Sequence, residues 1–232
     1  MITRRERIRQ MTLDEIKALS WETVSKNGID KLTVNGLAKQ MGMTPPGFYR
    51  YYKSRDALIK DLILDAYASF RTALETARDT CPSKQPGIIL CRIFTAYRKW
   101  AIDNPNMFTL FAGRPVYGFD PSDDQVKREA EKVYTIFIDI YQNAWEMDQV
   151  VPPETTDLEK ISYLSKGLSS AKNEFGNIPP ESIRALINGA CLVHGMISME
   201  ISGRLEPFIQ DKAGFFDHQI RELIHRLGME TE

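Results

Sequence analysis

At 232 residues and 43% hydrophobic, the chain is long enough for one domain of ordinary size plus a small one and apolar enough for a real core, which excludes a disordered or low-complexity protein. No stretch approaches the roughly 18 apolar residues of a membrane-spanning helix. The first ten residues hold four arginines with no apolar run behind them, so no secretory leader is expected. The net charge of −1 hides a split: residues 1–60 carry 12 Lys/Arg against 6 Asp/Glu, and the rest carries 18 against 25. A basic end on an acidic body suggests that a polyanion is met by the N-terminal end alone, the bland alternative being chance surface variation. Cys81, Cys91 and Cys191 contain no CxxC and cannot all pair, so they read as reduced, buried thiols of a cytosolic protein, with Cys81 beside Pro82 the weaker candidate for exposure.

Residues 1–11 read as a basic arm, either a solvated tail or a segment whose Arg4, Arg5, Arg7 and Arg9 follow a polyanion. Thr12-x-x-Glu15 forms a capping box, and Ile16, Leu19, Ser20 and Val24 then give one inward face up to Gly28. Thr33 caps a short helix in which Val34, Leu37, Ala38 and Met41 share a face. Gly42 ends that helix because it accepts the left-handed conformation, and Met43 is the buried turn residue. Thr44 caps the next helix, with Pro45 and Pro46 in a first turn where a missing N–H costs nothing. Phe48 and Tyr52 are expected in the core. Ser54 caps a long helix from Arg55 to about Asp79, with Leu58, Leu62, Ala66, Phe70 and Leu74 at helical spacing.

Two short helices around a glycine turn, followed by a supporting helix, make a helix-turn-helix, a shape that places a few side chains in the major groove of DNA. Thr33, Leu37-Ala38, Gly42-Met43-Thr44, Phe48-Tyr49, Tyr51-Tyr52, Lys53, Ser54-Arg55-Asp56 and Leu58 together resemble the DNA-binding domain of the TetR family of bacterial transcriptional regulators. The departures are Tyr51 for the usual His and Arg55 for the usual Lys. The match covers about residues 12 to 60, and beyond it the resemblance is one of architecture.

The remainder also reads as helix: Ile88 to Asp103, a short helix opened by Asn104-Pro105 and ending near Gly113, one opened by Ser122-x-x-Gln125 and running to about Met147, one from Thr156-x-x-Glu159 to about Phe175, and then Glu181 to about Arg204 and Phe215 to about Leu227. Breaks fall at residues 81–87, 114–121, 151–153 and 176–180. With no alternating strand pattern, the fold class is all-α: a helix-turn-helix domain at 12–60 and a larger helical domain at 61–232, to which the resemblance assigns effector binding and dimerisation.

On the DNA side, Thr33, Tyr49, Arg50, Tyr51, Lys53 and Arg55, with Lys31 and Lys39, are candidates for phosphate contact. Thr44, Pro45, Pro46, Gly47 and Tyr51 are the candidates for base edges, and few of them are strong bidentate readers, so DNA shape enters the specificity. The resemblance implies an effector pocket in the body whose occupation alters the spacing of two DNA-binding heads. Eleven aromatics among residues 94–145, about twice the chain average of 10%, suit an apolar or aromatic ligand, with ordinary core packing as the competing reading for each. Tyr97, Phe111, Phe137, Tyr141 and Trp145 are the pocket candidates, and Arg98 is either a ligand-anion partner or a structural ion-pair member.

The helix from residue 181 carries a stripe of Ile183, Leu186, Ile187, Ala190, Cys191, His194, Ile197, Ser198 and Ile201, kept thin by Gly189 and Gly195. With the last helix it is the candidate for half of a four-helix dimer interface, through Ile187, Cys191, His194, Gly195, Ser198, Ile220 and Leu223. His194-Gly195 resembles a subgroup of the family with a Trp…His-Gly signature, whose Trp is missing here. His218, Glu222 and His225 on one helix are either a weak metal site or, far more commonly, a solvated face.

No P-loop, GxGxxG, HExxH or GxSxG is present, so no enzyme, cofactor or metal is expected. The reading is a cytoplasmic, homodimeric repressor that binds a short palindrome and is released by a small effector. The alternative is a dimeric DNA-binding protein with a protein partner and no effector, for chromosome organisation or division coupling.

Overall fold

A computed structural model of the chain describes residues 3–112, 123–150 and 180–231. The described residues are all-helical: α1 (Arg4–Asn27), a 3-10 turn (Ile29–Lys31), α2 (Val34–Gln40), α3 (Pro45–Phe48), α4 (Arg55–Asp79), α5 (Pro86–Asp103), α6 (Pro105–Ala112), α7 (Asp124–Glu146), α8 (Pro180–Ile201) and α9 (Lys212–Arg226). The expected helix over 156–175 and the breaks at 114–121, 151–153 and 176–179 lie outside the described residues. The chain divides into two compact units, Met1–Ser69 with Asn104–Glu131 and Phe70–Asp103 with Lys132–Glu232.

In the first unit, α1 begins earlier than the residues around Thr12 suggest. Thr3 and Glu6 form the working capping box: Glu6 N donates to Thr3 Oγ1 at 3.2 Å and Thr3 N donates to Glu6 Oε2 at 2.8 Å. These bonds from Thr3 hold the Glu6 carboxyl below its ordinary range. Thr12, expected to cap, lies mid-helix and its hydroxyl donates to the Ile8 carbonyl at 3.0 Å. The physical reason is local: arginine is a good helix former, so a second, upstream box extends the helix through the basic stretch. Ile16, Ser20 and Val24 are buried as expected, and the Ser20 hydroxyl is satisfied by the Ile16 carbonyl at 2.7 Å.

The core of this unit gathers Ile16, Leu32, Leu37, Phe48, Leu58, Ile59 and Leu62, none more than 1% exposed, with Leu110 of α6 and Val126 of α7 joining it. Burying a side chain of this size contributes about 1.5–3 kcal/mol, so these residues fix the unit. α7 is capped by Asp123, whose Oδ1 accepts from Gln125 N at 2.9 Å and Val126 N at 3.3 Å; Ser122, the expected start of this helix, lies outside the described residues. Lys60 Nζ bonds Asp123 Oδ2 at 2.8 Å and, first among several causes, lowers the Asp123 carboxyl below its ordinary range.

In the second unit, α5, α8 and α9 pack on one another. Leu90, Ile93 and Trp100 of α5, Val193, Met196 and Ile197 of α8, and Phe216, Ile220 and Ile224 of α9 are buried. Burial pushes the Cys91 thiol up. Phe70 and Leu74 extend the α4 stripe into this unit, where the Phe70 ring lies 4.6 Å from Tyr97 and 4.8 Å from Trp100.

Candidate nucleic-acid interface

The turn between α2 and α3 is built by its backbone. Gly42 sits at φ +65°, Met43 N donates to the Ala38 carbonyl at 2.8 Å and Gly42 N to the Lys39 carbonyl at 3.2 Å. That pair of bonds is a Schellman stop, and only glycine takes the left-handed position without steric cost. Thr33 and Thr44 cap the two helices through Gly36 N at 3.1 Å and Gly47 N at 3.2 Å.

α3 is a single turn, continued by a tighter one in which Tyr51 N donates to the Phe48 carbonyl at 2.9 Å. A turn this short has little stability of its own. It is held by Phe48 (0% exposed) and Tyr52 (6%), whose rings lie 6.2 Å apart in the core. The anchors leave Thr44, Pro45, Pro46, Tyr49 and Arg50 exposed, and Lys53 just beyond them; Gly47 and Tyr51 are half-buried, and Thr33, Lys31 and Lys39 are exposed on the neighbouring segments.

Arg55 departs from expectation. Its Nε donates to the Leu32 carbonyl at 2.7 Å and its Nη2 to the Ile29 carbonyl at 2.9 Å, so its guanidinium closes the end of the 3-10 turn. The reason is its place at the first position of α4, where a fork of donors meets two helix-end carbonyls.

Sequence reasoning missed a polar cluster beneath the element. The Tyr52 hydroxyl donates to Asp61 Oδ2 at 2.6 Å, and Lys17 Nζ lies 3.1 Å from Asp61 and 2.9 Å from Asp65. These residues tie α1 and α4 to the segment after α3. Burial, then the bond to Asp61, raises the Tyr52 phenol above its ordinary range. Burial lowers the Lys17 ammonium, but the Asp65 and Asp61 carboxylates outweigh it and the net shift is upward. Both groups therefore hold their protons more tightly folded than unfolded. Their contribution is complete below about pH 10 and is lost as the pH rises beyond it. Urea midpoints are expected to fall between about pH 8 and about pH 11, and Tyr52→Phe should shrink that fall; equal falls in both proteins would remove Tyr52 as a contributor.

Arg9, one of the four arginines of the basic arm, reaches the turn after α3, a contact the sequence did not foretell. Its Nη1 donates to the Arg50 carbonyl at 3.0 Å, and its Cζ lies 5.4 Å from the centroid of the Tyr51 ring. Extending the buried α1 stripe back one turn from Leu13 and Ile16 would have placed it there.

The aromatic candidates of the body divide. Phe111 belongs to the first unit, stacked on Tyr67 with centroids 4.5 Å apart. Tyr97, Phe137, Tyr141 and Trp145 belong to the second. There the Tyr97 hydroxyl lies 3.3 Å from His194 Nδ1, Phe137 stacks on Phe94 at 5.2 Å, Tyr141 is fully buried and Trp145 is half-buried. A small concavity of about 270 Å³ in this unit is lined by Gln85, Gly87, Asp148, Gln149, Gly228 and Glu230, and none of the aromatic candidates lines it. Arg98 is a structural partner: its Nε and Nη2 grip Glu200 at 2.8 and 2.5 Å.

The α8 stripe is split. Val193, Met196 and Ile197 turn inward, whereas Ile187 (40%) and Leu192 (39%) are exposed, with Ala190 and Cys191 beside them. Cys191 is thus an exposed thiol, contrary to expectation. Ile220, expected at a dimer interface, is 2% exposed and committed to packing within the chain. His194, Gly195, Ser198 and Leu223 are half-buried. On α9, Glu222 is engaged by Arg226 at 2.9 Å, while His218 and His225 are exposed.

An all-helical chain whose first unit presents a capped helix-turn-helix with an exposed outer face is a DNA-binding regulator in its architecture. The family model described as "Bacterial regulatory proteins, tetR family" matches residues 18–62, and that described as "Tetracyclin repressor-like, C-terminal domain" matches residues 90–223. The chain belongs to the TetR family and is a transcriptional regulator. It is similar to the HTH-type transcriptional regulators Rv1816 of Mycobacterium tuberculosis and Mb1846 of Mycobacterium bovis, each 28% identical over 96% of this chain and 95% of the relative. Among solved structures it resembles the regulatory protein SCO4313, with a TM-score of 0.77, 28% identity and coverage of 96% of this chain and 100% of that one. A protein from Rhodococcus sp. RHA1 shares the fold at a TM-score of 0.70 and 16% identity, over 94% and 95% of the two chains. Among the described residues, no helix is long and apolar enough to cross a membrane.

Proposed function

We propose that the protein is a cytoplasmic repressor that binds a short palindromic operator as a homodimer and is released by a small, largely apolar or aromatic effector. The observation that carries the DNA-reading part is the separation of roles within five residues: Phe48 and Tyr52 are sunk in the core while Tyr49 and Arg50 between them face outward. Thr44, Pro45, Pro46, Gly47 and Tyr51 are assigned to base edges, where small and apolar groups approach thymine methyls closely. Thr33, Tyr49, Arg50 and Lys53 are assigned to phosphates and set the register.

For dimerisation, support comes from the outer face of α8, where Ile187 and Cys191 are exposed in the single chain and Gly195 is half-buried beside them. A Cβ added at Gly195 meets nothing within 4 Å. Gly195→Leu is therefore expected to leave the subunit fold intact and to shift a dimer towards monomer in sedimentation, by blocking close approach of a second α8; an unchanged mass would remove this face from the interface. For the effector, support comes from the aromatic side chains of the second unit, in which Tyr97, Tyr141 and Trp145 carry polar tips and Phe137 adds an apolar ring.

Selection of binding sites from random DNA, at roughly physiological salt to screen non-specific phosphate attraction, tests the reading. A palindrome with half-sites about one helical turn apart is the expected result. No enriched motif would overturn the operator reading and favour a protein-partnered role.

A further inference from the structure

The basic start of α1 offers four exposed arginines, Arg4, Arg5, Arg7 and Arg9, of which Arg9 is already engaged. Arg9 lies on the same side of α1 as Leu13, Ile16 and Ser20, which pack on or into the core. Its position is therefore set by a buried face one turn away, and by a helix start fixed at Thr3 and Glu6. From there the guanidinium spans 41 residues of sequence to make two contacts on consecutive residues. One is the 3.0 Å bond to the Arg50 carbonyl, at the end of the short recognition element where carbonyls have no following turn to bond them. The other is the approach of Cζ to 5.4 Å from the Tyr51 ring centroid, within reach of a cation–π interaction.

We infer that Arg9 is a positioning residue for sequence specificity, a brace from α1 that closes the end of the recognition element and fixes the plane of the Tyr51 ring. This rests on the DNA-reading role proposed above for Tyr51. The chemistry required is that of a planar fork: one edge donates to a carbonyl while the face lies against a ring. Lysine carries the charge without the plane and does not do both. Arg9, as exposed as Arg4, Arg5 and Arg7, thus differs from them in its two contacts at the end of the recognition element.

The test uses the operator selected by the wild-type protein and a scrambled duplex of equal length. Affinities for both are measured as a function of salt for the wild type, Arg9→Lys, Arg9→Ala, Tyr51→Leu and the double variant Arg9→Ala/Tyr51→Leu. Arg9 is exposed, so thermal melts of its single variants should match the wild type. Both Arg9 variants are expected to lose about tenfold on the operator and little on the scrambled duplex, with the salt slope of Arg9→Lys unchanged. The double variant should bind hardly more weakly than Tyr51→Leu alone, since the two residues act as one unit. A wild-type-like Arg9→Lys, with Arg9→Ala weaker on both duplexes and its salt slope reduced by about one, would make Arg9 a plain phosphate contact and overturn the inference. Additive losses in the double variant would overturn it as well. If the wild type selects no operator, the DNA-reading proposal itself fails; if it selects one and the Arg9 variants match it, only the brace fails.

Discussion

Arg98→Ala is expected to lower the stability of the second unit by about 3 kcal/mol, the largest single loss outside its apolar core. Arg98 of α5 and Glu200 of α8 are 102 residues apart in sequence, and their side chains are only 19% and 11% exposed. The bond is bidentate, at 2.8 and 2.5 Å, and the guanidinium lies 5.7 Å from the Phe216 ring centroid of α9, so one side chain ties three helices together. Removing the arginine leaves a carboxylate that water scarcely reaches and nothing replaces. The cost is mainly that of the orphaned charge rather than of the lost attraction. Arg98→Lys should recover part of the loss, since an ammonium meets one oxygen well but lacks the fork. Replacing both residues together, Arg98→Met with Glu200→Leu, should restore most of it because no charge is then stranded. Urea unfolding of the four proteins decides the matter. A single-alanine loss below about 0.5 kcal/mol would mean that the pair behaves as an exposed surface bridge.

The largest functional effect is expected from replacing Tyr49 and Tyr51 together with alanine. Operator affinity should fall by about ten- to a hundredfold, the range for losing one or two groups at a nucleic-acid interface. Tyr49 is 50% exposed, so its ring contributes little to folding. Tyr51 is half-buried against the core cluster, and its loss carries a modest stability cost of about 1 kcal/mol. The contrast is Phe48→Ala, one residue earlier, where a fully buried ring is removed at a cost of about 3–5 kcal/mol. Circular dichroism separates the outcomes: the tyrosine variant stays folded and loses DNA, whereas the Phe48 variant loses both. A folded double-tyrosine variant with wild-type operator affinity would displace the proposed reading surface.

The features legible in the sequence are those whose cause is local. Thr33 and Thr44 cap their helices because a hydroxyl and an amide three residues on are all a cap needs. Gly42 stops α2 because its backbone conformation is left-handed. The α4 stripe from Leu58 to Leu74 is buried because one periodicity holds along most of a 25-residue helix. What escaped the sequence depends on choices between local signals or on distant partners. Thr3-x-x-Glu6 and Thr12-x-x-Glu15 are both valid boxes, and the arginines between them decide by continuing the helix. Arg55 looks like any basic residue at a DNA-facing corner until the Leu32 and Ile29 carbonyls are found within its reach. The cluster of Lys17, Tyr52, Asp61 and Asp65 is spread over 49 residues and leaves no pattern along the chain. The apolar run of α8 serves two faces at once, which a single stripe does not separate.

The division of labour around α3 bears on how such a protein acquires new targets. The side chains that hold the element, Phe48 and Tyr52, are not those that face outward, and the backbone of the turn depends on Gly42 alone. Changes at Thr44, Pro46, Tyr49 or Arg50 therefore draw little on a marginal stability reserve, since surface substitutions away from caps and cores usually stay within about 0.5 kcal/mol. Thr44 is the exception, because its hydroxyl is also a cap, which serine preserves while losing the methyl. Lineages carrying this fold are expected to drift in operator preference through single, folded intermediates, with position 46 varying at the base edges and positions 49 and 50 changing affinity rather than fold, while 42, 48 and 52 stay fixed.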